Sequence, residues 1–194
     1  MAGIASLAVF LSMKTKIKFL IGIVAVAALA GGFLLAQWLN RPAVPEPAPA
    51  TALPKTMVDF TLPGIDGKPR QLSEWRGKLI VLNFWATWCP PCREEIPLFV
   101  RTQGKYGARG LQIIGVAIDK LEDVKNFQDF KLINYPVLVG QEEVMALMQQ
   151  YGNRIGSLPY SVVIDRKGQV LSRKVGAYQP AELESLLQGL LPDN

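Results

Sequence analysis

The chain has 194 residues, two cysteines and no histidine, which excludes a Cys/His zinc site within one copy and any Ser-His-Asp or Cys-His nucleophile. Its length suits one domain with appendages. Residues 1–54 hold four basic side chains against one acidic and the remainder 17 against 15, within a net charge of +5; that is an ordinary solvated surface and no nucleic-acid footprint.

Residues 1–12 are apolar and uncharged, and Met13-Lys14-Thr15-Lys16 has the look of an export n-region, so Met13 is an alternative start. Phe19 to Leu39 is a 21-residue run with no charge. As a helix it would be about 31 Å long, enough to cross the hydrocarbon core. Lys14, Lys16 and Lys18 precede it and only Arg41 closely follows, which places residues 1–18 in the cytoplasm and the rest outside. Length and flanks favour a retained single-pass anchor; the rival is a cleaved signal peptide with Ala28-Leu29-Ala30 as its small-residue site. Both readings export the remainder. Residues 40–54 carry prolines at 42, 45, 47, 49 and 54, a composition that favours extended polyproline II and builds no core. They read as a linker to a domain over 55–194.

Within that domain, Val58 to Leu62 and Pro69 to Leu72 flank Gly64-Ile65-Asp66-Gly67 and predict a hairpin. Leu79 to Trp85 is nearly all apolar and predicts a strand buried on both faces of a parallel sheet. Asn83 within it reads as a satisfied buried polar group. Next comes Trp85-Ala86-Thr87-Trp88-Cys89-Pro90-Pro91-Cys92-Arg93-Glu94-Glu95, with both cysteines. A helix is predicted from Pro90 to about Tyr106, kinked at Pro97, which lacks the N–H for a bond to the Arg93 carbonyl. Cys92, Ile96 and Phe99 mark its buried face.

Cys89 then sits at a helix N-terminus, where the dipole and unpaired N–H groups favour a thiolate. Cys92 lies one turn on, about 5–6 Å away, within disulfide reach. Pro90 and Pro91 stiffen the turn and remove two amides, leaving the Cys92 and Arg93 N–H groups as the nearest donors to the Cys89 sulfur. Cys89 is expected to be an accessible, acidified attacker and Cys92 the inner, resolving thiol. A purely structural disulfide closing so short a loop would stabilise little. Glu95, one turn beyond Cys92, reads either as a surface carboxylate or as a proton relay. Trp85 and Trp88 read as core and rim, and Trp88, with Pro90 and Pro91, can also line a substrate groove. Arg93 and Glu94 read as solvated.

Leu111 to Ile118 predicts a second buried strand. Leu121, Val124, Phe127 and Phe130 suggest a helix, Pro136 to Val139 a short strand, and Val144, Leu147, Met148 and Tyr151 another helix. Tyr160 to Ile164 and Gln169 to Val175 surround Asp165-Arg166-Lys167-Gly168, a hairpin signal. Leu183, Leu186, Leu187 and Leu190 complete a C-terminal amphipathic helix with Pro180 in its first turn. Together these give an α/β fold, a mixed sheet with helices on both faces.

Trp-Cys-Pro-Pro-Cys, Pro97 and Leu158-Pro159-Tyr160-Ser161 before an apolar strand resemble the thioredoxin superfamily. The anchor, the leading hairpin, Asn83 to Trp88 and Glu95 are similar to its membrane-tethered TlpA/ResA-like branch. The resemblance covers about Thr56 to Leu191. It implies a thioredoxin-like three-layer sandwich with a helix and strand inserted over about Glu122 to Gly140. It implies a cis-proline at Pro159 facing the dithiol, with the backbone of Leu158 free to pair with a bound peptide, although a plain trans turn proline fits the residues alone. Glu95 matches an acidic residue near the dithiol, a candidate for proton handling. Asn83 stands where ordinary thioredoxins keep a buried aspartate. Gly156-Ser157-Leu158-Pro159-Tyr160-Ser161 departs from the Gly-Ala-Pro-Glu-Thr common among cytochrome-c-maturation members.

The resemblance implies an extracytoplasmic thiol–disulfide oxidoreductase, monomeric, needing no cofactor, on the outer face of a bacterial inner membrane. Its partners would be disulfide-bearing client proteins, such as apocytochromes or copper proteins, and a transmembrane thiol electron donor. Two alternatives stay open. One is a peroxidase of the peroxiredoxin type, whose Pro-x-x-x-Thr-x-x-Cys pattern this chain lacks. The other is a non-catalytic dithiol domain that delivers a metal such as copper.

Overall fold

The computed structural model describes residues 53–191, with 31, 32 and 35–37. Chain contacts divide it into Met1–Thr51 and Ala52–Asn194. The described residues of the first unit are helical. The span expected over 19–39 otherwise lies outside the described residues, as do residues 1–18 and the linker up to Thr51-Ala52. Among the described residues no helix is long and apolar enough to cross a membrane.

The second unit begins with a small hairpin, β1 (Thr61–Pro63) and β2 (Pro69–Gln71), paired antiparallel with Thr61 opposite Gln71. Its turn closes through Gly67, whose φ of +76° suits glycine. The first strand starts later than Val58 because the segment before it pairs elsewhere. The Met57 amide donates to the Gly168 carbonyl (2.7 Å) and the Val170 amide to the Lys55 carbonyl (2.9 Å). A 3-10 turn over Leu72–Trp75 follows, with Leu72 and Trp75 buried; the Glu74 carboxylate accepts the Gln71 amide at 2.7 Å.

Five further strands form the main sheet: β3 (Leu79–Trp85), β4 (Leu111–Ile118), β5 (Val137–Gly140), β6 (Tyr160–Ile164) and β7 (Val170–Val175). Their order is β5-β4-β3-β6-β7. β3 runs parallel to β4 and antiparallel to β6, β4 parallel to β5, and β6 antiparallel to β7. All seven residues of β3 are buried, which is why its sequence shows no alternation. The helices are α1 (Pro90–Tyr106), α2 (Leu121–Lys131), α3 (Glu142–Gln150) and α4 (Pro180–Gln188). α2 and β5 are the helix and strand expected over about Glu122 to Gly140.

Alternate residues of β3 serve two cores. Leu79, Val81 and Trp85 pack with Cys92, Ile96 and Phe99 of α1, Val124 of α2 and Leu183 and Leu187 of α4. Ile80, Leu82 and Phe84 pack with Val144, Leu147 and Met148 of α3 and with Leu62, Leu72 and Trp75. Each fully buried side chain of this size contributes about 1.5–3 kcal/mol. Helices therefore cover both faces, and the order fixes which end of the sheet carries the cysteines. α1 continues through Pro97 to Tyr106.

Candidate active site

The chain leaves the C-terminal end of β3 and turns into α1 at Cys89. Cys89 is the helix N-cap, with φ −91° and ψ 107°, and prolines occupy the first two helical positions, where no N–H is missed. The Cys89 amide donates to the Ala86 carbonyl at 3.2 Å. Cys89 and Cys92 are joined in a disulfide, their Cα atoms 5.3 Å apart. The Cys92 amide donates to the Cys89 sulfur at 3.4 Å. The Arg93 amide, expected as a second donor to that sulfur, goes instead to the Cys89 carbonyl at 3.2 Å, the ordinary helical bond for that position.

In this oxidised form Cys89 is 4 % exposed and Cys92 1 %, so Cys89 is less open than expected of an attacker: its sulfur is turned onto its buried partner. Trp88 beside it is 65 % exposed, and Pro90 and Pro91 are exposed too. The turn is held from below by Asp119, at the end of β4. Its carboxylate accepts the Thr87 amide at 3.1 Å, the Thr87 hydroxyl in a short bond and the Lys120 amide at 2.9 Å.

The Leu158–Pro159 peptide bond is cis. Tyr160 lies opposite Phe84 in the β3–β6 register, so Pro159 falls beside Trp85, at the end of β3 from which the cysteine turn springs. Leu158 packs on the cluster that contains both cysteines. The approach to this bond is shaped by Asn153, 5 % exposed. Its side-chain oxygen accepts the Gly156 and Ser157 amides, each at 3.2 Å, and its amide donates to the Ser157 carbonyl at 2.7 Å.

Glu95 is buried, one turn beyond Cys92, which settles against a surface carboxylate: it is 3 % exposed. Its carboxylate accepts the Tyr178 amide at 2.6 Å and the Asn83 side-chain amide at 3.3 Å. Asn83 also donates to the Ser161 hydroxyl at 3.0 Å, so it is a satisfied buried polar group. Burial pushes the Glu95 carboxyl up to about 7, against the opposing pull of its two hydrogen bonds and of Lys174. Burial also raises the Tyr135 hydroxyl, with Glu95 adding to the shift. Arg93 and Glu94 are exposed, the Arg93 guanidinium 5.9 Å from the centre of the Phe127 ring. Among the described residues no three His, Cys, Asp or Glu side chains are grouped to hold a metal ion.

The sequence reading missed Asp119, Asn153 and Tyr178. Asp119 had one signal, an acidic residue at the carboxyl end of a parallel strand, where sites gather in such sheets. Asn153 had another, an Asn followed closely by Gly-Ser, the composition of a side-chain-closed turn. Tyr178 contributes only its backbone amide.

The AhpC/TSA family pattern matches residues 53–173, which include the cysteine turn and the cis-proline. The chain belongs to the AhpC/TSA family. A thiol-disulfide oxidoreductase ResA of Bacillus anthracis is 32 % identical over 139 residues, 71 % of this chain and 78 % of that protein. Another of that name from Bacillus cereus is 29 % identical over 181 residues, 92 % of this chain and 99 % of the relative. Among solved structures, a thiol:disulfide interchange protein of the thioredoxin family from Chlorobium tepidum superposes with a TM-score of 0.65 at 35 % identity, over 74 % of this chain and 100 % of that one. The TlpA/ResA-like resemblance therefore holds, and this AhpC/TSA member is a thioredoxin-fold redox enzyme of the thiol–disulfide oxidoreductase kind.

Proposed function

We propose that the protein reduces disulfides in exported client proteins, with Cys89 as attacking thiolate and Cys92 as resolving thiol. One observation carries the assignment. Cys89 caps the helix and its sulfur receives the Cys92 amide, whereas Cys92 is 1 % exposed and lies one turn from buried Glu95.

The cycle starts from the reduced dithiol. The Cys89 thiolate attacks one client sulfur, the client S–S bond breaks, and a mixed disulfide forms as the second client sulfur leaves and takes a proton. Cys92 then gives its proton to the Glu95 carboxylate and attacks Cys89. The first client sulfur leaves and takes up a proton in turn. The client has gained two electrons and two protons, and Cys89–Cys92 is the disulfide seen here. A carboxyl titrating near 7 can accept and return such a proton at neutral pH. Cis-Pro159 and Leu158 would seat the client backbone, with Trp88, Pro90 and Pro91 along the rim.

Residues 19–39 would hold the domain on the outer face of a bacterial inner membrane. In an oxidising compartment the spent disulfide needs recharging, and a transmembrane thiol carrier would supply the electron pair. Apocytochrome haem-binding cysteines and copper-protein cysteines are the client classes this placement suits.

The test is covalent trapping. Reduced Cys92→Ser protein, incubated with a disulfide-bonded client, should accumulate a mixed disulfide through Cys89 that dithiothreitol releases. Cys89→Ser should trap at least tenfold less. Equal trapping by the two variants removes the assignment.

A further inference from the structure

A groove of about 530 Å³ opens beside Trp88. It is lined by Trp88, Ile118, Met145 and Ala146, with Gln141 and Gln149. We propose that this groove receives a large apolar side chain, aromatic for preference, from the client segment flanking the attacked disulfide. The inference rests on the reductase reading above and adds to it what the enzyme recognises.

Continuity with the reacting sulfur comes first. Trp88 is the residue before Cys89, so a client whose disulfide lies against Cys89 passes the groove within a few residues. One lining residue, Met145, packs against the cis-proline loop. Gly156, with φ +79°, approaches Met145 so closely that a Cβ there would stand 3.1 Å from the Met145 methyl carbon. Met145 thus links the groove, which begins at Trp88 of the cysteine turn, to the loop that ends in Leu158–Pro159. The groove then continues across Asp119 and Gln141 into a second hollow of about 510 Å³ that ends at Leu62 and Pro63 of the hairpin. An extended chain has a track to follow.

Chemistry selects the occupant. Trp88 is 65 % exposed, yet the turn carrying it is fixed through Thr87 to Asp119. A bare indole on a held turn is a preformed wall. Facing it is Met145, whose thioether adapts to ring edges and faces. Two carboxylates, Asp119 and Glu142, line the groove against one ammonium, Lys120; this excess disfavours an acidic side chain, and it is the indole and the thioether that select an aromatic one. As an open groove of about 530 Å³, it has room for an indole or phenyl ring laid against Trp88 and Met145.

The experiment uses the full reduced chain in detergent micelles. The substrates are hydroxyethyl disulfide and short peptides closed by one disulfide. In the peptides a single position, one to three residues to either side of a cysteine, is Ala, Leu, Phe, Trp, Arg or Asp. Each second-order rate constant, for single-turnover oxidation of the reduced protein by the substrate, is taken relative to the same protein's value with hydroxyethyl disulfide. At one of these positions Phe should exceed Ala by about tenfold, the order a filled apolar pocket supplies. Ala146→Trp, which fills the groove from an exposed site on α3, should bring that ratio near one. Met145→Ala, which enlarges it, should shift preference from Phe toward a Trp peptide. Equal rates for Phe and Ala at every position overturn the proposal, as does a Phe preference that survives Ala146→Trp or a preference for Arg. In those cases hydroxyethyl disulfide is still reduced and the reductase reading stands. If neither it nor any peptide is reduced, the reductase reading itself fails.

Discussion

Glu95 holds its proton in the folded chain at a pH where the unfolded chain has released it. Its carboxyl titrates near 7, raised from 4.5, because burial disfavours the charge more than the Tyr178 and Asn83 amides restore it. Folding therefore takes up a proton between these values. The stabilisation is fully present below about pH 4.5 and is lost as pH rises through 7, a change of roughly 3 kcal/mol for this one group. Glu95→Gln keeps an oxygen for the Tyr178 amide and cannot ionise. The oxidised variant should be more stable than the oxidised parent at pH 8 by about 1–3 kcal/mol and nearly equal to it at pH 4.5. Urea denaturation at the two pH values measures both. Parallel pH profiles would mean that Glu95 keeps its charge in the folded protein. The burial of Glu95 is legible in the helical phase of Cys92, Ile96 and Phe99. Its partner is not, because the Tyr178 amide lies 83 residues along the chain and nothing local marks it.

Among the elements, the strands were the most readable. Leu79–Trp85, Leu111–Ile118 and Tyr160–Ile164 occupy the intervals their apolar runs predict, since a strand buried on both faces has no other composition open to it. The hairpin boundary slipped because residues 55–57 find partners beside the β6–β7 turn, a long-range choice that outweighs local pattern. The loop before Pro159 depends on a single side chain. Asn153 makes three hydrogen bonds to residues 156 and 157. In Asn153→Ala two amides and a carbonyl lose their partner, at a cost of about 1–3 kcal/mol. The segment leading to Leu158 and Pro159 would loosen while the cysteine turn, held by Asp119, stays put. KM for peptide disulfides should rise several-fold, with little change in the equilibrium between the dithiol and disulfide forms against glutathione. A shifted redox equilibrium with an unchanged KM would show that Asn153 acts on the cysteines rather than on client seating.

At the scale of the whole molecule, the question is where the catalytic unit begins. Contacts place the boundary at Thr51/Ala52, and the first described residues beyond it are fastened rather than free. Arg173 donates to the Pro54 carbonyl in a short bond and to the Tyr151 carbonyl at 2.8 Å. Leu53 lies over Gly152: a Cβ there would stand 2.8 Å from its methyl carbon. Lys55 and Met57 bond to the turn between β6 and β7, and the Tyr151 hydroxyl both receives the Val58 amide and donates to the Val58 carbonyl. A chain starting at residue 53 should therefore keep the full stability of the domain and its rate with hydroxyethyl disulfide. One starting at Asp59 loses five hydrogen bonds along this seam, worth about 1 kcal/mol each, and its urea midpoint should fall accordingly. The same pair of truncations tests the anchor. The full chain should remain in the membrane fraction after alkaline carbonate extraction, and both truncated forms should partition to the supernatant. A full chain released by carbonate would remove the membrane tether. Equal midpoints for the two truncations would show that the seam contributes nothing and that the catalytic unit begins at the hairpin.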